Sequence, residues 1–320
     1  MGTSYYKTQL TKQQQTIYDA IVASLRKYQS KITLASVPAE SIDRAFAAVR
    51  LDRPELFFLD NNSTVYYSVF KSELGVSFCY SFQETKRLLD ELNRRAKEIV
   101  SKSLNMSLQQ RAIYLHDYLV GHLTYSEKIN NHNEAHNIVG ALLHRSCVCE
   151  GYAKAYKFLC DKAGIPCIIV MGTSLDEKNV REGHAWNIVM PGQTCFHVDP
   201  TFDNFIDGEY CSHAHVFLSS KEILTNHTVD SDFSIPNCPE SQLPMVRVSD
   251  LDAFIAAVRQ DQRKKLRFSE YALTSYVAPH EFIDAFRKKL SVFDLALHNQ
   301  IRSFFFSDCP KVNVIGIKWR

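Results

Sequence analysis

The chain has 320 residues, 45% of them hydrophobic, and 37 Lys and Arg against 35 Asp and Glu leave a formal charge of +2. That is enough apolar material for one large or two ordinary domains, and without a Lys/Arg run or a basic face the charge gives no reason to expect nucleic acid or an anionic membrane as partner. The Gln-rich start carries no apolar signal core and no later stretch approaches the ~20 apolar residues of a span, so a folded cytoplasmic protein is expected.

Thr11 and Gln14 form a capping box, and Ile17, Ala20, Ile21 and Leu25 behind it make a helical stripe. A strand near Ile32–Leu34, a helix over Ser41–Val49 and strands near Leu56–Leu59, Ser63–Phe70 and Val76–Phe82 follow, with Asp60-Asn61-Asn62 as a turn between the first two of these strands. A long polar helix from Glu84 to Ser101 joins this small α+β module to a central part, which opens at Ser107 with a second capping box. Ser231–Leu243, rich in Ser and Pro, reads as a linker or crossing loop. Beyond it the patterns predict a helix over Asp250–Arg259, a strand at Lys265–Phe268, a helix at Pro279–Leu290 and a strand at Val312–Trp319. Three parts are therefore expected, 1–104, 105–230 and 231–320, with the central one continuous with its flanks or separate from them.

Within the central part, Ala153, Tyr156, Leu159, Cys160 and Ala163 recur at helical spacing, and Gly164 with Pro166 is a stop signal. Cys149 then stands at the start of a buried helix, where unpaired N–H groups and the helix dipole favour a thiolate and can hold an oxyanion. Gly151 would let a substrate approach the backbone. The plain alternative is a small core cysteine. Residues 183–190 and 194–199 both read as strands around a Pro191-Gly192 turn signal. A hairpin symmetric about that pair sets His184 opposite Asp199, close enough for the carboxylate to hold one imidazole nitrogen while the other faces a thiol. Cys149, His184 and Asp199 thus have the makings of a catalytic triad.

The runs Val148-Cys149-Glu150-Gly151-Tyr152-Ala153, Gly164-Ile165-Pro166-Cys167, Gly183-His184-Ala185-Trp186-Asn187 and Val198-Asp199-Pro200-Thr201-Phe202-Asp203 resemble the core of the transglutaminase-like superfamily over roughly 105–230. The resemblance implies an α+β fold in which the nucleophile helix packs on an antiparallel sheet, flanked by smaller α+β modules, with a papain-like triad on Cys149, His184 and Asp199. Two positions depart from the pattern: His197 stands where an aromatic is usual, and Phe202 where Trp is frequent. A polar residue on the helix before the nucleophile often completes the oxyanion hole in such proteins, and His136 or Asn137 falls there, although Asn137 also suits a helix N-cap. Tyr152 and Trp186 join the pocket candidates, Trp186 either as a shield against water or as a core aromatic.

Nine cysteines at irregular spacing read as reduced core thiols. One residue between Cys147 and Cys149 is poor geometry for zinc, and His213 and His215, which follow Cys211, read as loop or edge-strand residues near the site. No metal and no cofactor is expected. The favoured function is a cysteine acyl-transfer enzyme acting on amide bonds of a peptide or protein substrate or on glutamine side chains, with hydrolysis preferred to amine transfer. The alternative is a non-catalytic peptide- or protein-binding module of the same fold.

Overall fold

In the computed structural model, residues 4–67, 71–126, 132–175, 180–203, 205–206, 208–274, 278–309 and 312–320 are described. The chain starts with the capped helix Lys12–Arg26, whose Thr11 and Gln14 exchange side chain and backbone bonds as a capping box and whose face Ile17, Ile21 and Leu25 is buried. The helix Ala39–Asp52 packs on it, and a three-stranded antiparallel sheet places Lys71–Phe78 between Lys31–Ala35 and Leu59–Tyr67. Two expectations fail here. Pro54–Leu56 is a short 3-10 turn, because Pro54 at its first position starts a helix turn better than it pairs in a sheet. Asp60-Asn61-Asn62 lies inside the Leu59–Tyr67 strand, where the register slips between Leu59 and Ser63, so the polar run marks an irregularity and not a reversal. Residues 68–70, the end expected for that strand, lie outside the described residues.

Helix Phe82–Ser101 carries Leu88, Leu92, Ala96 and Ile99 on one buried face, which packs against helix Cys149–Ala163. Helix Leu108–His122, opened by the Ser107–Gln110 capping box, packs on the same helix. On the other side lies the central five-stranded antiparallel sheet, in the order Val216–Leu218, Phe196–Val198, Arg181–Val189, Cys167–Leu175, His227–Val229. The fold is α+β, a buried helix on an antiparallel sheet. Its core runs without a break from Tyr6 through the helix Cys149–Ala163 and the sheet to Phe233 and Cys238. Phe233, Cys238 and Leu243 are buried, so the Ser- and Pro-rich stretch expected as a linker crosses the molecule as packed chain.

The last part has a core of its own, from Val248 to Trp319, centred on Phe254, Phe286, Tyr271 and Ile317. Its sheet pairs Val246–Val248 with Phe268–Leu273, then Val312–Trp319, then Ile301–Cys309. The strand expected at Lys265–Phe268 begins only at Phe268, because Lys265 has a φ of 53° at the end of helix Leu251–Arg263.

Candidate active site

Helix Cys149–Ala163 is positioned at both ends by its sequence. Gly164 ends it at φ 74° and donates its N–H to the Cys160 carbonyl. At the other end the N-cap is Val148, which brings no side-chain acceptor, so its side chain leaves the first-turn N–H groups around Cys149 uncapped. Gly151 serves packing instead of substrate approach: a Cβ there would lie 2.5 Å from Cys147 Cβ and 2.7 Å from the Ala135 carbonyl oxygen. Asn187, fully buried, donates its amide to the carbonyls of Ala153 at 3.0 Å and Ile168 at 3.1 Å, and so ties the helix to the sheet.

The sheet brings the histidine and the aspartate together by a register different from the one expected. Asn187 pairs with Val198, Ile188 with His197 and Val189 with Phe196, so the hairpin is centred on Gly192 and Gln193 and not on Pro191 and Gly192. His184 and Asp199 are consequently diagonal neighbours, still on one face because the shift is an even number of residues. Their contact is made: His184 Nε2 lies 2.7 Å from Asp199 Oδ2, with both side chains buried. Asp199 takes Nε2 and leaves Nδ1 of His184 free for the thiol of Cys149, which lies close enough to the ring to add to its charge stabilisation. Asp199 Oδ1 accepts from Thr201 N at 3.0 Å. Burial by itself pushes His184 towards the neutral form, but the Asp199 charge and hydrogen bond, with Cys149, outweigh it and hold the imidazolium up to about 10. Burial likewise pushes the Asp199 carboxyl up, and His184 and His227 overcome this and keep it far below the usual carboxylate range.

His227 is the residue that sequence reasoning missed. It enters on the edge strand His227–Val229, fully buried, and its Nε2 lies 3.1 Å from the same Asp199 Oδ2. Burial lowers its pKa, so it is neutral and has one N–H. Both ring nitrogens face acceptors, Nε2 the Asp199 carboxylate and Nδ1 the Asn226 Oδ1 at 2.6 Å, and the tautomer decides which of them receives the N–H. A strand of three residues among polar neighbours gives almost no periodicity, and only its Thr-Val ending hints at sheet.

Beside the His184–Asp199 pair, Trp186 lies nearly parallel to the His184 ring at a 6.0 Å centroid separation and donates Nε1 to His197 Nδ1 at 3.0 Å. His197, held neutral at about 3 by burial and then by His227, donates its other N–H to Ser220 Oγ at 3.1 Å. A polar residue in place of the usual aromatic therefore receives the indole proton. Phe202 touches His184, His215 and His227 with its ring, filling the space beside the sheet end. Asp203 faces away from the triad: it accepts from His116 Nε2, Ser212 Oγ and the His215 backbone.

The cleft over Cys149, about 370 Å3, is lined by Tyr125, Ala135, His136, Val148, Glu182 and Gly183. Of the oxyanion and pocket candidates His136 is on that wall, its Nδ1 held by Glu150 Oε2 at 2.9 Å. Burial would raise the Glu150 carboxyl, but Lys154 and His136 hold it at about 2. Asn137 is a cap: its Oδ1 accepts from Val139 N at 2.8 Å while its amide reaches the Phe57 carbonyl. Tyr152 and Trp186 are buried behind the cleft, Tyr152 with Cys147 and Tyr125 about its hydroxyl. Tyr125, half exposed, was not foreseen; a two-residue parallel pairing with Ser146–Cys147 sets it beside the turn that leads to Cys149.

Residues 93–200 match the sequence profile of the transglutaminase-like superfamily, so the central part of the chain is a transglutaminase-like domain. Among solved structures, the periplasmic domain of TgpA from Pseudomonas aeruginosa bound to ethylmercury is 22% identical over 42% of this chain and 56% of its own, with a TM-score of 0.28. A structure described as a TGase is 14% identical over 71% of this chain and 64% of its own, with a TM-score of 0.31. The chain thus spans less than two thirds of either. No curated protein matches it. Among the described residues no helix is long and apolar enough to cross a membrane.

Proposed function

We propose that the protein is a cysteine acyl-transfer enzyme acting on amide bonds of peptides or glutamine side chains, with hydrolysis favoured over amine transfer, in the cytoplasm. One observation carries the reading: a cysteine at an uncapped helix start lies beside His184, whose Nε2 is 2.7 Å from a buried carboxylate. With the proton of the Cys149–His184 pair resting on His184, the Cys149 sulfur attacks the amide carbon. The oxyanion is received by the first-turn N–H groups of the nucleophile helix, with His136 as the side-chain candidate on the cleft wall. The C–N bond breaks as His184 returns the proton to the leaving amine, and a thioester remains. Water then attacks, gives a proton to His184, and the acid leaves as Cys149 is reprotonated. Asp199 orients His184 and stabilises its charge, and His227 holds Asp199 from the other side. Tyr125 is half exposed on the cleft wall, and water is an acceptor that is always at hand.

The test is incubation with a thiol-directed electrophile near neutral pH and mass mapping, followed by a peptide amide screen with and without a primary amine. Cys149 should label first, ahead of Cys79, Cys147, Cys160 and Cys167, of which Cys147, Cys160 and Cys167 are buried. Equal labelling of all, or Cys147 first, would remove the nucleophile. Product that appears only with amine would make the enzyme a transferase.

A further inference from the structure

Outside the triad, a second set of histidines and carboxylates joins the helix Leu108–His122 to the segment after Cys211. Asp117 Oδ1 lies 3.0 Å from His116 Nδ1 and 3.0 Å from His213 Nε2, and the donor atoms of the three residues all lie within 4.8 Å of one another. Ligand atoms of a tetrahedral zinc ion, bonded at about 2.0–2.1 Å, stand about 3.3 Å apart. We infer that His116, Asp117 and His213 form a binding site for one divalent transition-metal ion of zinc's type.

The groups behind these residues are arranged for it. The far nitrogen of each imidazole is already fixed by a carboxylate: His116 Nε2 on Asp203 at 3.1 Å and His213 Nδ1 on Glu270 at 3.0 Å. Both carboxylates are buried, with side chains 0% and 1% exposed, and each is itself held, Asp203 by Ser212 Oγ and Glu270 by the Tyr210 hydroxyl. A carboxylate behind each ligating histidine fixes its tautomer and turns the near nitrogen to the metal. Asp117, 36% exposed, gives the ion a way in and a side for water. Two imidazoles with one carboxylate suit zinc, iron or cobalt better than calcium or magnesium. The ion takes His116 Nδ1 and His213 Nε2 as neutral ligand nitrogens, and any proton on either is released to water as it binds. Because Glu270 belongs to the last part of the chain, the ion would fasten that part to the transglutaminase-like domain. The inference uses no residue of the proposed triad.

The experiment is titration of the chelator-stripped full chain with Co2+, followed by Zn2+. One equivalent of Co2+ should bind with visible tetrahedral bands and without a thiolate-to-cobalt charge-transfer band, and Zn2+ should displace it. His213→Ala and Asp117→Ala should abolish binding, and Glu270→Gln should weaken it about 10–100-fold. His184→Ala, which removes the other buried histidine-carboxylate set, should leave it unchanged. No binding by the native chain at millimolar metal, a thiolate band, or loss in His184→Ala with retention in Glu270→Gln would each overturn the inference. If His213→Ala and Asp117→Ala fail to fold, the Glu270→Gln and His184→Ala pair still decides it.

Discussion

The two flanks of the central sheet are attached by different physics. The first eighty residues share one apolar core with the nucleophile helix: Tyr18, Ile21, Ile42 and Leu74 belong to the same buried cluster as Tyr156, Leu159 and Trp186, and the Tyr6 hydroxyl donates to the Ile169 carbonyl on the central sheet. The last part keeps its own aromatic core and meets the sheet through a small cluster, Ala214, Leu218, Ile223 and Leu243 with Ala272 and Val314. Around that cluster the contacts are polar: Glu270 with His213 and Tyr210, Arg247 with Glu222, Arg267 with Glu209. A shared apolar core makes one cooperative unit, whereas a polar seam over a small apolar cluster lets two units open separately. We propose on this ground that the chain unfolds as two units that part near Met245, where the sequence suggested divisions at both 104 and 230.

Truncation should separate these attachments most sharply. A chain that lacks everything before Phe82 loses about a third of the shared core and should not fold, while one ending at Met245 should stay folded and keep a reactive Cys149, read by circular dichroism and thiol labelling. If both truncations behave alike, the contrast between the flanks is wrong. The next largest effect lies between the flanks. Asp199→Asn should lower turnover about 10⁴-fold, roughly 5.4 kcal/mol of barrier, with the melting temperature nearly unchanged. A proportional loss of stability would make the contact with His184 structural. Glu270→Gln should then cost about 1.5–3 kcal/mol, the range for a hydrogen bond to a charged group. It should appear as an earlier transition of the last part alone, with Cys149 labelling unaltered. One shifted transition for the whole chain would mean that the seam is stronger than it looks.

The smallest effect is in pH. His184 is held in its charged form up to about 10 when folded, against about 6.5 unfolded. Its contribution to stability is therefore whole below about 6.5 and is lost as pH rises towards 10. Asp199 has its carboxyl lowered, so its contribution is present above about 3.9 and is lost as pH falls below that. Asp199→Asn should flatten the alkaline loss in the transition of the first unit. An unchanged alkaline slope would show that the Asp199 charge does not hold the imidazolium.

What was legible in the sequence follows from how local each signal is. The capping boxes at Thr11 and Ser107 and the stop at Gly164 each depend on a few adjacent residues, and all three are where they were expected. The hairpin register depends on a loop, 190–195, whose length a Pro-Gly pair does not set, and it moved by two residues. The His184–Asp199 contact was still anticipated, because a shift of two keeps side chains on the same face. His227 and Glu270 were out of reach for another reason: each meets its partner across a long span of chain, and neither the three-residue strand of the one nor the misplaced strand of the other announces a polar contact.

Gly172 lies beside the strand that carries His227. A Cβ on it would come 1.9 Å from the Thr228 carbonyl oxygen, in the strand that pairs with its own. A single methyl group there would push that strand outward and take His227 off Asp199. Among relatives of this chain, then, the small residue and the second histidine should be inherited as a pair, and a lineage that gives up one has no reason to keep the other.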